Sequence, residues 1–187
     1  MGVYGMLSDG IGSYGDEFRA GLNVCLHFLV LGIIAVGTGR PFLFPSLGPS
    51  AYLLATGEQP REEGAYHVIG GHAVAVAAGM LAYALFGREA SAYIAFDAPD
   101  PRFSEDLIAL AASSTTAMVG TTIVMLITRT NHPAACATTL IIALGLMGGI
   151  ADAIVILLAV TVLVFFHETF LLPLARYYGF NPDEARE

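Results

Sequence analysis

The sequence predicts an all-α membrane protein with four long transmembrane helices and two short, proline-broken segments that either re-enter the bilayer or cross it. Three observations carry that expectation. Hydrophobic residues make up 56% of the chain and charged residues only 13%, where soluble domains carry about a quarter charged. The apolar residues gather into runs that approach the ~20 needed to span a bilayer. Between those runs lie two stretches too rich in proline to continue a helix, since proline lacks the N–H and clashes with the preceding turn.

Taken in order, Met1 to Ala20 is Gly-, Ser- and Tyr-containing and reads as a loose or interfacial lead-in. Its charges are Asp9, Asp16, Glu17 and Arg19, not the cationic start of a cleaved signal. Leu22 to Gly39 is the first span. Arg40-Pro41-Phe42-Leu43-Phe44-Pro45-Ser46-Leu47-Gly48-Pro49-Ser50-Ala51 then interrupts any helix with Pro41, Pro45 and Pro49, leaving a short helix from Pro49 to about Ala55. Gly57 to Tyr66, with Glu58, Arg61, Glu62 and Glu63, is a solvated loop. His67 to Phe86 is the second span, with Gly71, Ala75 and Gly79 spaced for close helix contact.

Gly87 to Asp106 is the longest polar stretch and divides the chain into halves. Leu107 to Thr128 spans again, and its Ser113, Ser114, Thr115, Thr116, Thr121 and Thr122 suggest one face against other helices or water. Pro133 to Met147 is the second short segment, and Ile150 to Phe166 the last long span. His167, Glu168 and Pro173 mark its exit, and Tyr177 and Tyr178 suit an interfacial belt. On this plan residues 1–20 are the lead-in, 21–175 the membrane domain and 176–187 a cytoplasmic tail.

The two halves share a plan: long span, arginine after threonine, proline-bearing segment, long span. Paired interrupted segments of this kind mark transporter binding sites. If both short segments cross, the repeats are inverted; if both re-enter, they are parallel. Arginine bias does not separate these. Crossing puts Arg19, Arg61, Arg129, Arg176 and Arg186 opposite Arg40, Arg88 and Arg102. Re-entry puts Arg19, Arg88, Arg102, Arg176 and Arg186 opposite Arg40, Arg61 and Arg129. Both place the termini in the cytoplasm by the positive-inside rule.

Net charge is −8, with every basic residue an arginine. Acidic loops without lysine argue against nucleic acid and polybasic lipid binding, and suit a source with high intracellular salt, where carboxylate repulsion is screened. Cys25 and Cys136 read as small packing residues rather than a disulfide or metal pair.

The chemistry concentrates at Arg129-Thr130-Asn131-His132-Pro133-Ala134-Ala135-Cys136-Ala137-Thr138-Thr139. Polar groups are costly in a bilayer unless they face partners or water. A helix starting at Pro133 would point the N–H groups of Ala134, Ala135 and Cys136 at whatever lies beyond its end, and such ends attract anions. Ser46, Gly48 and Ser50 lie at the matching break in the first half. Candidate substrate-binding residues are therefore Ser46, Gly48, Ser50, His72, Arg129, Asn131, His132, Thr138 and Thr139. His132 is a candidate anion ligand or proton switch. No carboxylate occurs between Ala20 and Ala55 or between Leu107 and Ala151, whereas a cation path is expected to carry acidic rings.

Phe44-Pro45-Ser46-Leu47-Gly48-Pro49-Ser50-Ala51, Gln59-Pro60-Arg61, Gly70-Gly71-His72 and Thr128-Arg129-Thr130-Asn131-His132-Pro133-Ala134-Ala135, in that order, resemble the HPP family of integral membrane proteins. The resemblance covers about Leu22 to Phe166. It departs from the family's His-Pro-Pro at Ala134. Plant-chloroplast and cyanobacterial members are linked to nitrite transport, so the resemblance implies a transporter or channel for a small inorganic anion, nitrite favoured. The cell membrane is the expected location and a homo-oligomer the expected assembly.

Two other classes are weighed. An intramembrane metal enzyme could draw on His27, His72, His132, His167, Glu168 and Asp152, but no pair has ligand spacing on one helix; no enzyme activity, cofactor or metal is expected. A neutral-solute channel would lean on Asn131-His132-Pro133-Ala134, similar in part to the aquaporin Asn-Pro-Ala motif, but the histidine intervenes and there is no second copy.

Overall fold

The computed structural model describes residues 3–56, 64–87, 89–98 and 102–177, and every regular element among them is helical. The elements are α1 (Val3–Thr38), α2 (Leu47–Thr56), α3 (Ala65–Ala82), α4 (Ala92–Phe96), α5 (Glu105–Thr128), α6 (Ala135–Ala143), α7 (Ile150–Phe166) and α8 (Leu172–Tyr177). Wide π-type turns, Tyr83–Gly87 and His167–Leu171, continue α3 and join α7 to α8. Four stretches are long and apolar enough to cross a membrane: Glu17–Thr38, Ala65–Gly87, Glu105–Thr128 and Ile150–Tyr177. This is a multi-pass membrane protein. Gln59-Pro60-Arg61, Glu62, Glu63, Arg88 and everything beyond Tyr177 lie outside the described residues.

Helix ends follow local chemistry. Ser104 caps α5 by accepting from the Leu107 N–H at 3.3 Å, with Glu105 and Asp106 in the first turn, where acids complement the helix dipole. The helix stops at Arg129, whose left-handed φ of 55° lets its N–H reach the Met125 carbonyl. The Asp152 carboxylate accepts from the Gly149 N–H at the start of α7, and Glu168 accepts from the Ala65 N–H at the start of α3. These acids tie down helix ends. The turn at His167–Leu171 sits just before Pro173, which cannot donate to the ladder; the Leu172 N–H reaches back to the His167 carbonyl instead.

Three sequence expectations change. The lead-in is helical from Val3, so α1 starts well before Leu22. The polar Gly87–Asp106 stretch holds α4, whose Ala92 and Ala95 are buried beside Leu110. It is tied down because the Ala92 N–H donates to the Leu144 carbonyl and the Tyr83 hydroxyl to that of Ala90. The last span runs past Phe166 to Tyr177, because the wide turn absorbs Pro173 without ending the helix.

Chain direction follows from the neighbours of α3. Gly71 lies against His132 and Ala135, Gly79 against Ile142 and Thr139, and Gly145 and Gly148 against Tyr83. So the passage through α6 runs parallel to α3 from end to end. The closeness is enforced by glycine: a Cβ on Gly71 would stand 2.8 Å from the His132 Cβ, and one on Gly79 3.0 Å from the Ile142 Cβ. α5 runs the opposite way, with Gly120 near Ala78 and the Thr128 carbonyl accepting from the Tyr66 hydroxyl. α7 is also opposite, starting near Tyr83 and bringing Glu168 to Ala65.

After α1 the chain turns at Gly39 (φ 63°) and folds back until Leu43 reaches Gly32. It then sets Ser46 beside Thr138, and Ser50 beside His72 and His132. Thr138 lies further along α6 than His132, so α2 runs antiparallel to α6 and heads for the Ala65 end of α3. α1, α3 and α6 thus run one way, and α2, α5 and α7 the other. Both short segments pass through the bundle instead of returning to the end they left. The halves α1–α2–α3 and α5–α6–α7 repeat one order in opposite senses. α2 has 10 residues, ~15 Å of helix against a ~30 Å hydrocarbon core, so its proline-bearing lead supplies the rest of the pass.

The main apolar core joins α1, α2, α3, α6 and α7 through Leu31, Leu47, Val68, Ile142, Ile156 and Leu163. On α5 the buried positions Ser113, Ala117, Thr121 and Met125 recur every four residues, so one stripe of that helix faces the bundle. Val36, Ile127 and Ile150 point outward, as lipid-facing side chains do.

Candidate functional site

The first turns of α2 and α6 meet inside the bundle, flanked by α3. The prolines set this up. Pro45 precedes the short helix in one half and Pro133 in the other, each following backbone that proline keeps out of helix. Ser46 and Ser50 project from the start of α2, Thr138 from the first turn of α6, His132 from just before it, and His72 from the second turn of α3. All five are completely buried.

They form one hydrogen-bonded cluster. The Ser46 and Thr138 hydroxyls lie 2.6 Å apart, Thr138 Oγ1 lies 2.8 Å from His72 Nδ1, and Ser50 Oγ lies 3.1 Å from His72 Nε2 and 3.0 Å from His132 Nε2. The Ser50 hydroxyl also donates to the Ser46 carbonyl at 3.0 Å. The two imidazole centroids are 5.3 Å apart.

Hydrogens can be placed by counting. Ser50 has one proton and two lone pairs. The Ser46 carbonyl only accepts, so all three contacts are satisfied together only if Ser50 donates to that carbonyl and both imidazoles donate Nε2–H to Ser50. With both rings neutral, His72 Nδ1 is then a lone pair that takes the Thr138 proton, Thr138 accepts from Ser46, and every donor among these contacts is used.

The structure therefore joins Ser46, Ser50, His72, His132 and Thr138. Thr139 is buried on another face, sharing a 2.9 Å contact with Thr121 of α5, so it serves the α5–α6 contact. Gly48 is half-buried, and Arg129 and Asn131 are exposed. Those two leave the cluster because Thr130, itself buried, turns its N–H back to the Met125 carbonyl. The short-helix amides also differ from expectation: the Ala135 N–H donates to the His132 carbonyl and that of Cys136 to Pro133. The tight first turn consumes donors that would otherwise point outward.

Sequence reasoning named Thr121, His27 and His167 but did not pair Thr121 with Thr139 or His27 with His167. His27, buried, donates Nδ1–H to the Asn23 carbonyl at 2.7 Å and stacks on His167 with centroids 5.3 Å apart. Their distance in sequence hid the contact. Among the described residues no three of His, Cys, Asp and Glu gather as a metal site.

Residues 10–173 match the HPP transmembrane-region family, and the chain belongs to that family. No curated protein and no solved structure matches the chain.

Proposed function

We propose that this HPP-family membrane protein passes a small inorganic anion across the bilayer, with nitrite the favoured substrate, through the place where its two short helices begin. One observation carries the reading: the first turns of α2 and α6, pointing to opposite ends of the bundle, meet at a buried cluster of hydroxyls and imidazoles. Helix N-termini carry partial positive charge, and interrupted helices that meet in inverted halves are how secondary transporters build anion sites. No carboxylate occurs between Ala20 and Ala55 or between Leu107 and Ala151, and Asp152 and Glu168 are engaged at helix ends. Ser46, Ser50, His72, His132 and Thr138 are the groups assigned to the path. The exposed Arg129 and Asn131 are assigned to its mouth, where a cation draws anions from solution. Both termini are placed in the cytoplasm by the arginine bias.

The test is nitrite flux into vesicles holding the purified protein. His132→Ala is expected to lower flux at least tenfold while the protein keeps its helical signal. His132→Gln keeps a hydrogen-bonding side chain without a titratable ring, and so separates contact from charge. Vesicles that pass cations or water but neither nitrite nor any other small inorganic anion refute the proposal.

A further inference from the structure

We infer that the cluster couples each anion to one proton, so that proton and anion cross together as an electroneutral pair. This rests on the anion-passage reading above and adds the coupled ion. With neutral rings the hydrogen count leaves no donor unspent: Ser46 donates to Thr138, Thr138 to His72 Nδ1, both imidazoles to Ser50, and Ser50 to the Ser46 carbonyl. An anion needs donors, so the neutral cluster has none to give it.

One proton changes that. A proton from water binds the lone pair of His72 Nδ1, which then donates to Thr138 Oγ1 across the same 2.8 Å contact. Thr138 still accepts from Ser46, and its own hydroxyl proton, displaced from His72, turns outward. The cluster gains one positive charge and one free O–H donor in a single step, and no other bond is lost. Binding one anion neutralises the charge, and release of the anion lets the proton leave and Thr138 turn back. The second ring, 5.3 Å away, does not take a further proton beside an imidazolium at that distance, so the ratio is one to one.

Among the described residues, the titratable side chains of the elements that build the cluster are His132 on the lead to α6, His67 on α3, Cys136 on α6 and the outward-facing Tyr66 of α3 and Tyr52 of α2; α5 turns the hydroxyls of Ser113 and Thr121 inward. α7 carries its carboxylate, Asp152, at the far end, bonded to Gly149. Among the described side chains of α1, the buried titratable one is His27, stacked on His167.

The experiment uses the full chain in vesicles loaded with a pH dye, with membrane potential clamped by potassium and valinomycin and nitrite as the probe; protein-free vesicles correct for nitrous acid leak. The expected result is nitrite uptake driven by an inward proton gradient at zero potential, insensitive to imposed potential, with about one proton entering per nitrite. Thr138→Val, which removes the acceptor and the freed donor, is expected to lower gradient-driven uptake at least tenfold, and Thr138→Ser to restore it. His72→Gln keeps a polar contact but holds no proton, and is expected to abolish the gradient's effect. Nitrite uptake that follows the membrane potential without internal acidification overturns the coupling and leaves anion passage standing. Gradient-driven uptake unchanged in both Thr138→Val and His72→Gln also overturns it. Uptake of no anion under either driving force removes the anion-passage reading and this inference with it.

Discussion

Replacing Ser50 by alanine removes the one oxygen on which both buried imidazoles converge. The Nε2 atoms of His72 and His132 stand 3.1 and 3.0 Å from it, and both donate there. Deleting the oxygen leaves two N–H donors unsatisfied among side chains that are completely buried. Each unsatisfied donor costs about 1–3 kcal/mol, so the pair costs ~2–6 kcal/mol. Water does not repair this: it needs roughly 10–15 Å³ of free volume and several polar partners, and one deleted oxygen between close neighbours opens less. Equilibrium unfolding in detergent micelles, followed by the loss of helical signal, measures the cost. Thr122→Ala is the control, since that exposed hydroxyl bonds only the Met118 carbonyl of its own helix, and a change within ~0.5 kcal/mol is expected. If Ser50→Ala proves no less stable than Thr122→Ala, Ser50 does not hold the histidines and the hydrogen count is wrong.

Two further outcomes follow from the packing and the topology. Gly79→Ala places a methyl 3.0 Å from the Ile142 Cβ and 3.2 Å from the Thr139 carbonyl, so a loss of ~1–3 kcal/mol is expected; Gly120→Ala, whose nearest neighbour is the Ala78 Cβ at 4.0 Å, is expected to be neutral by the same unfolding measurement. Tags at the two ends of the chain are expected to resist an impermeant protease in intact cells and to be cut in inverted vesicles, and cleavage of either tag from outside intact cells would reverse the proposed orientation.

Apolar run length and proline position are local properties, and they made the four spans and the two breaks readable from the sequence: a bilayer accepts only segments whose backbone bonds are internal, and Pro41, Pro45, Pro49 and Pro133 each forbid an uninterrupted helix. The spacing of Gly71, Ala75 and Gly79 likewise announced a close helix contact. The same local logic misjudged Gly87–Asp106, because α4 is held by bonds from Ala92 to Leu144 and from Tyr83 to Ala90, and only the first of these partners is remote enough to be invisible to any pattern.

The candidate residues divide along the same line. Which residues were polar and near a break could be read directly, and Ser46, Ser50, His132 and Thr138 were singled out on that ground, His72 by its place after Gly70-Gly71 inside a span. Which of them meet could not. Ser50 and His132 are 82 positions apart, and Ser46 and Thr138 are 92 apart, so their pairing depends on chain direction. The arginine counts for crossing and for re-entry were equal, leaving direction open. Tertiary packing decided it: glycines 71 and 79 hold the α6 passage parallel to α3 along its whole length, and that register sets His132 against Ser50 while turning Arg129 and Asn131 to the outside. Sequence determined the inventory of membrane segments and polar groups, because burial in lipid constrains each segment by itself; the cluster exists only because side chains from three separate passes reach one place.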